Sequence, residues 1–316
     1  MDNNIKTSCL INNYNYAEFV PEAIYSALNQ TVKFDEIIIV DDASTDNSAE
    51  IIANFTKFGN IKVILKEKNK GQLSSFNEGF LAATGDIIFF LDADDIYEPQ
   101  YLETALTFYN RRSECDFLFC AYKKFGVVEE TFQADTVDLD LGYSVIKTLY
   151  SGEWIGSITS TLSMRREIIR KFLPIPNIED WRVRADDCLV WGASLVGAKK
   201  FYISKPLVMY RIHPNNQYHN KKFLDIEDSY EYERFWKRNS LFNYIMQKNH
   251  FSFPLLLAFT SLNELKTKPC PKTEDFISYL KIIFLFEHSY FWKFKGIILL
   301  ISYFLRNFMA GKLKIL

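Results

Sequence analysis

The sequence predicts an α/β fold with a mostly parallel central sheet flanked by helices and a helical extension at the C-terminal end. Short apolar runs at 7–12 (TSCLIN), 36–41 (EIIIVD), 61–65 (IKVIL) and 86–91 (DIIFFL) have the length and near-continuous hydrophobicity of strands buried on both faces. The segments between them, 17–29, 46–57 and 72–83, are of helical length. In the first, Phe19, Val20, Ala23, Ile24, Ala27 and Leu28 recur at steps of three and four. Strand alternating with helix argues for parallel pairing, because parallel neighbours need a crossover between them. Acidic residues then gather where strands end, Asp41 and Asp42 after one and Asp92, Asp94 and Asp95 after another. In open parallel sheets that is where ligands bind.

Helix starts carry the expected signals: Ser44, Thr45 and Asp46 precede the second helix, and Pro99 begins the one after LDADDIYE. From about residue 115 the alternation decays. CDFLFCAYKKFG reads as a hairpin reaching residue 133, a helix is expected over 186–197, and KFYISKPLVMYRIH at 200–213 reads as a strand broken by Pro206. Beyond residue 220 the chain becomes a charged helix and then aromatic-rich helix, with no repeat or low-complexity linker.

With 316 residues and 48% hydrophobic content, a large core is available. A net charge of −2 and a pI near 6.2 argue against nucleic acid as a partner. The five cysteines, Cys9, Cys115, Cys120, Cys188 and Cys270, are scattered without CxxC pairs, which suits a reducing cytosol. No apolar run of signal-peptide length opens the chain, and its longest uncharged C-terminal stretch, 296–305, falls far short of the roughly 20 residues a spanning helix needs. The loop after the first strand, INNYNY, contains no glycine, so neither a dinucleotide GxGxxG nor a phosphate-binding GK[ST] loop is present there.

Two loops carry chemistry. LDADD at 91–95 follows the apolar strand IIFFL, and carboxylates one residue apart at a strand end, Asp92 and Asp94, can share a hard cation such as Mg2+ or Mn2+ that neutralises a diphosphate. The alternative is a solvated cap. In VDDASTDNS at 40–48, a carboxylate can accept the imide N–H of uracil; Asp41 is the candidate, Asp46 reads as a helix cap, and Asp42 fits either role.

These stretches, in order, resemble the family-two inverting glycosyltransferases with the nucleotide-binding GT-A fold. INNYN at 11–15, VDDASTD at 40–46, NKGQLSSFNEGFLAATGDIIFFLDADD at 69–95 and ADDCLVWGASLVGAKKFYISKPLVMYRIH at 185–213 carry the resemblance across about two thirds of the chain. It implies a GT-A domain over 1–220, with a nucleotide-sugar-binding half at 1–115 and an acceptor half at 116–220, followed by a helical extension over 221–316. Asn15, Asp41, Gly71 and Asn77 would then line the nucleotide pocket, Asp92 would reach the ribose, and Asp94 of the DxD motif would hold the metal. The acidic pair, usually Glu-Asp, is Asp186-Asp187 here; the resemblance makes Asp187 the general base on the acceptor hydroxyl and Asp186 a secondary site whose side chain is one methylene short. Arg211 and His213 match an R-x-H element that would stabilise the leaving diphosphate and complete the metal shell. Trp154 and SITST at 157–161 fall where acceptor-facing residues lie, with plain packing as the other reading.

The implied activity is metal-dependent, inverting transfer of one sugar from a nucleotide-diphosphate sugar, a UDP-hexose or UDP-N-acetylhexosamine, to a glycan or lipid-linked acceptor in cell-surface polysaccharide synthesis. Single transfer is favoured because a processive synthase would bring a QxxRW motif and several spanning helices, and neither is in the sequence. The competing reading is a nucleotide- or glycan-binding protein that keeps the fold without catalysis. Residues 281–316 carry six basic side chains against Glu287 alone, a net +5 that leaves −7 for the rest. With nine tyrosine, phenylalanine and tryptophan side chains between 284 and 308, this segment is expected to rest on an anionic membrane surface from the cytoplasmic side, the alternative being a packed hairpin or a dimer contact.

Overall fold

The computed structural model describes residues 5–176, 178–214, 216, 228–252 and 256–310. The four expected N-terminal strands form: β1 (Thr7–Asn13), β2 (Glu36–Asp41), β3 (Ile61–Leu65) and β4 (Ile87–Asp92). All three pairings among them, in the order β3-β2-β1-β4, are parallel. The crossovers are α1 (Val20–Leu28), α2 (Ser48–Ala53) and α3 (Gln72–Ala82). The second is shorter than its pattern suggests: a 3-10 turn takes over at Asn54–Lys57, and Asp46 sits before the helix, accepting Ser48 N at 2.9 Å and Ala17 N at 3.0 Å.

Alternation along each strand separates two cores. Ile37 and Ile39 of β2 pack with Val20, Ala23, Ile24 and Ala27 of α1 on one face, whereas Ile38 and Val40 pack with Leu73, Phe76 and Phe80 of α3 on the other. Each of the valine, leucine, isoleucine and phenylalanine side chains contributes on the order of 1.5–3 kcal/mol when fully buried, and each alanine less.

Beyond β4 come β5 (Ile96–Tyr97), α4 (Tyr101–Arg111), β6 (Phe117–Gly126), β7 (Glu130–Phe132), β8 (Leu139–Gly142), α5 (Val145–Ser151), β9 (Ser163–Arg165), α6 (Arg166–Ile169), α7 (Ala185–Leu195) and β10 (Lys200–Ile212). The sheet continues β4-β9-β6-β10-β5, with β7 on β6 and β8 on β10. Its second half is mixed: β10 runs parallel to β6, but β9 enters antiparallel between β4 and β6, and the short strands β5, β7 and β8 are antiparallel as well. Pro206 does not break β10. The strand runs through it, and two register shifts against β6, at Ile203/Pro206 and Pro206/Val208, absorb the missing N–H.

After residue 220 the helices divide. From α8 (Asp228–Lys248), Leu241, Phe242 and Ile245 enter the same core as α3 and α7. By contrast, α9 (Leu257–Lys266), α10 (Thr273–Phe286) and α11 (Tyr290–Met309) build a third core of their own, joined by Ile146 of α5. A buried polar network fastens this unit. Glu264 accepts the first-turn amides of Ile146 and Lys147 at 2.8 and 3.1 Å and the Tyr279 hydroxyl at 2.8 Å, while Asp275 pairs with Lys147 and Lys268. Opposed by its own desolvation, the Asp275 carboxyl is still held down at about 2 by the two lysines. Among the described residues no helix is long and apolar enough to cross a membrane. Lys312 and Lys314, two of the six basic residues counted in the 281–316 segment, lie outside the described residues.

Candidate active site

At the carboxyl ends of β1, β2 and β4 the polar residues come into register: Asn12 of β1 stands opposite Asp92 of β4, and Asn13 opposite Asp41 of β2. Parallel pairing thus turns three separate sequence motifs into one surface. Asn12 Nδ2 donates to Asp92 Oδ1 at 2.6 Å and Asn13 Nδ2 to Asp41 Oδ1 at 2.7 Å. Above this edge lies a cavity of about 740 Å³, a volume typical of small-molecule sites. Its wall carries four carboxylates, Asp42, Asp92, Asp94 and Asp186; Arg182, Arg184 and Arg234 supply the positive charge, and Trp154, Tyr14, Tyr16 and Tyr210 the aromatic surface.

Asp92, Asp94 and Asp186 repel one another. Burial, then the charges of Asp94 and Asp186, push the Asp92 carboxyl up to about 8. Asp95, behind it, is held well above the usual carboxylate range by burial and then by Asp94 and Asp92, although Ser160 Oγ donates to it at 2.6 Å and Arg211 N at 2.9 Å. Asp94 Oδ2 meets His213 Nε2 at 3.1 Å and Asn216 Nδ2 at 3.2 Å. The His213 ring is wedged between Tyr16 and Phe19, with centroids 5.5 and 4.6 Å away, and its Nδ1 has no hydrogen-bond partner among the described residues.

Gly71 is on the wall and accepts no other residue: its φ is +84°, and a Cβ there would stand 2.4 Å from Arg182 Cα. Asp42 holds this turn by accepting Lys70 N at 3.0 Å and Gly71 N at 2.6 Å, and it also pairs with buried Lys66. The next residue, Gln72, ties three elements together, donating to Asp92 Oδ1 at 3.1 Å and accepting Ala185 N, the first residue of α7, at 3.0 Å. Gln72 had no part in the sequence argument, although it follows directly on NKG.

Four of the expected residues take other positions. Asp41 is buried and filled, accepting Asn13 Nδ2, Ser44 N and Ser44 Oγ; the carboxylate of that loop on the cavity wall is Asp42. Asn15 is exposed at φ +57°, where its Oδ1 accepts Thr45 N at 2.7 Å and shapes the loop, while its neighbours Tyr14 and Tyr16 face the cavity. Asn77 does not line the cavity: it bonds both backbone groups of Ile175, at 2.8 and 3.0 Å. Arg211 lies between the rings of Phe19 and Phe125, pairs with Glu22 and donates to the Asp94 carbonyl, so its charge is engaged away from the wall.

The acidic pair splits. At the start of α7 Asp186 faces the cavity, and burial followed by the charge of Asp187 lifts its carboxyl to about 6 against the pull of Arg184. Asp187 is completely buried behind the wall, 3.3 Å from Arg184 Nη2 and 3.6 Å from Arg234 Nη2. Burial raises its carboxyl as well, with the two arginines opposing. Arg234 comes from α8, a helix whose charged pattern gave no hint of a site.

A family model, glycosyl transferase family 2, matches residues 8–173. An uncharacterized glycosyltransferase of Nostoc sp. is 35% identical over 68% of this chain and 67% of its own length. EpsH of Bacillus subtilis, a putative glycosyltransferase, is 30% identical over 69% of this chain and 64% of its own. Among solved structures, S. aureus TarS 1–349 in complex with UDP-GlcNAc shares the fold with a TM-score of 0.57 at 20% identity, over 88% of this chain and 80% of that one; of a longer TarS chain the match spans 48%. With the family model covering half of the sequence and a relative at this level of identity, the chain belongs to glycosyl transferase family 2 and is a glycosyltransferase of GT-A-like fold.

Proposed function

We propose that this glycosyltransferase moves a single sugar, with inversion, from a uridine diphosphate sugar to a hydroxyl of a glycan or lipid-linked acceptor in polysaccharide synthesis. One observation carries the reading: three carboxylates, Asp92, Asp94 and Asp186, and three arginines, Arg182, Arg184 and Arg234, share the wall of one cavity at the strand ends. The S. aureus TarS complex with UDP-GlcNAc, of the same fold, supports a uridine diphosphate donor. Tyr14, Asp42 and Asn69 are assigned to the nucleoside end and Asp92 to the ribose.

The donor set fits a hard divalent cation. A carboxylate and an imidazole converge at 3.1 Å in Asp94 and His213, and the surrounding acids carry charge that positive charge would relieve. No group of three or more such ligands is preformed among the described residues, so Asp94 and His213 would be the protein's share of the donor set. Asp94 and His213 would hold Mn2+ or Mg2+, which would supply positive charge against the departing diphosphate.

Asp186 is assigned as the base. It takes the proton of the acceptor hydroxyl as that oxygen bonds to the anomeric carbon and the bond from that carbon to the diphosphate oxygen breaks on the opposite face. Arg184 and Arg234 meet the charge that develops on the leaving group, and Asp187 fixes the positions of both. UDP release from a panel of UDP-sugars, with Mn2+ and with EDTA, tests this. Turnover that needs the metal and Asp186 is expected. Equal UDP affinity in EDTA would remove the cation, and tight UDP binding without turnover on any donor would make the chain a binding protein.

A further inference from the structure

We propose that the outward face of the α10–α11 hairpin is a docking surface for an anionic lipid bilayer, lying in the headgroup plane without spanning it. The 20-residue α11 is apolar on both of its sides. Its inner side packs on α9 and α10 through buried Gly296 and Leu300, with Gly296 so close that an added Cβ would stand 2.4 Å from Ala258 Cβ. Its outer side repeats Phe291, Phe294, Ile298, Ile301 and Leu305 at steps of three and four, and the two phenylalanines are 67% and 68% exposed. Phe284 and Leu285 of α10, 62% and 66% exposed, extend the patch. A helix apolar all round is ordinarily buried, and a continuous exposed patch marks an interaction surface.

Charge identifies the occupant. Lys293 Nζ stands 5.4 Å from the Phe284 ring centre and 5.9 Å from that of Tyr290; Lys295 Nζ is 4.8 Å from Trp292 and 5.9 Å from Phe291. The cations are therefore interleaved with the exposed rings, and Lys281 and Arg306 are exposed beside them. From residue 276 to 310 the one acid is Glu287, which is buried and turned inward to accept Ala258 N at 3.1 Å. Apart from Glu274 in the first turn of α10, at the far end from Phe284 and Leu285, the exposed charges of the hairpin are cationic, and such an apolar, cationic surface complements anionic headgroups over acyl chains, with lysine stems lying along the apolar rings. A second copy of the same face would set lysines against lysines.

No cavity-lining residue belongs to α10 or α11, so the test is separate from that of sugar transfer. The full chain is floated with phosphatidylglycerol or phosphatidylcholine vesicles at low and high salt. Binding to phosphatidylglycerol that weakens with salt is expected. Replacing Lys281, Lys293 and Lys295 together by glutamine weakens it on the order of 100-fold, at about fivefold per lysine. Phe291→Ser with Phe294→Ser, both exposed positions, also lowers partitioning while the melting temperature stays put. The proposal falls if the unaltered chain does not float at low salt, if the glutamine variant floats equally well, or if the chain is a dimer that the phenylalanine variant converts to a monomer.

Discussion

The strand-end carboxylates and the arginines of the cavity wall are held in different ways. Asp42, Asp92 and Asp94 stand on or just after parallel strands whose register is fixed by long hydrogen-bonded ladders, whereas Arg182 and Arg184 precede α7 and Arg234 belongs to α8. Carboxylates that repel one another need a rigid frame to stay together, and the sheet is that frame. The arginines are attracted inward, and one buried acid, Asp187, suffices to hold two of them.

Five variants put this contrast under strain. The largest effect is expected from Asp94→Ala, which should lower turnover on the order of 10³-fold or more with little change in fold, read as metal-dependent UDP release. Asp186→Asn should cost on the order of 10²- to 10⁴-fold in transfer with donor binding kept, and Asp187→Asn less, with a raised KM for the donor because Arg184 and Arg234 lose their anchor. If Asp187→Asn alone abolishes transfer, the two aspartates exchange roles. Arg234→Ala should slow transfer roughly 10- to 100-fold, whereas Arg211→Ala should lower the melting temperature and leave the donor KM within about threefold, since its charge serves Glu22 and the Phe19 and Phe125 rings.

The smallest effect concerns stability. The Asp186 carboxyl is raised to about 6 in the folded chain, above its ordinary value of 3.8, so the native state binds that proton more tightly than the unfolded one. Its contribution is a cost fully present above pH 6, relieved as the pH falls from about 6 to 4, and flat below. Asp186→Asn should therefore stabilise the protein by about 1–3 kcal/mol at pH 7–8, a gain that disappears toward pH 4. Denaturant melts at the two pH values check it; a variant no more stable at pH 8 than at pH 4 would show that Asp186 is better solvated than its position on the wall implies.

What could be read in the sequence follows the same division. Strands buried on both faces announce themselves as apolar runs, and their ends mark the ligand edge, so the LDADD and VDD loops could be located without coordinates. Orientation within a motif could not. Successive residues in VDD and ADD point to different sides, which is why Asp42 and Asp186 stand on the wall while Asp41 and Asp187 lie behind it. Helical geometry explains Asn77: at about 100° per residue it lies roughly 140° around α3 from Gln72, whereas Ser75 shares the Gln72 side and the cavity wall. Arg234 needed tertiary packing, because nothing local in a charged helix shows which face meets α7. The mixed half of the sheet was hidden for a similar reason: β9 is three residues long and finds its place between β4 and β6 only when those strands already exist.

The link between Glu264 and α5 bears on how such a chain can be rearranged. A helix start ordinarily finds its cap nearby in sequence, but Ser144 makes no side-chain cap here, and the first-turn amides of α5 rely on a carboxylate more than a hundred residues away. One residue beyond the Lys147 partner Glu153 comes Trp154, on the cavity wall. The last three helices are consequently not a detachable module. Grafting them onto another catalytic domain would require that domain to present an uncapped helix of matching position, and excising them here would take the Glu264 cap from two amides of α5 and the Asp275 partner from Lys147, leaving Lys147 with Glu153. Recombination among relatives should keep α5 and the α9–α11 unit together as one inherited block, even though the sequence between them is free to diverge.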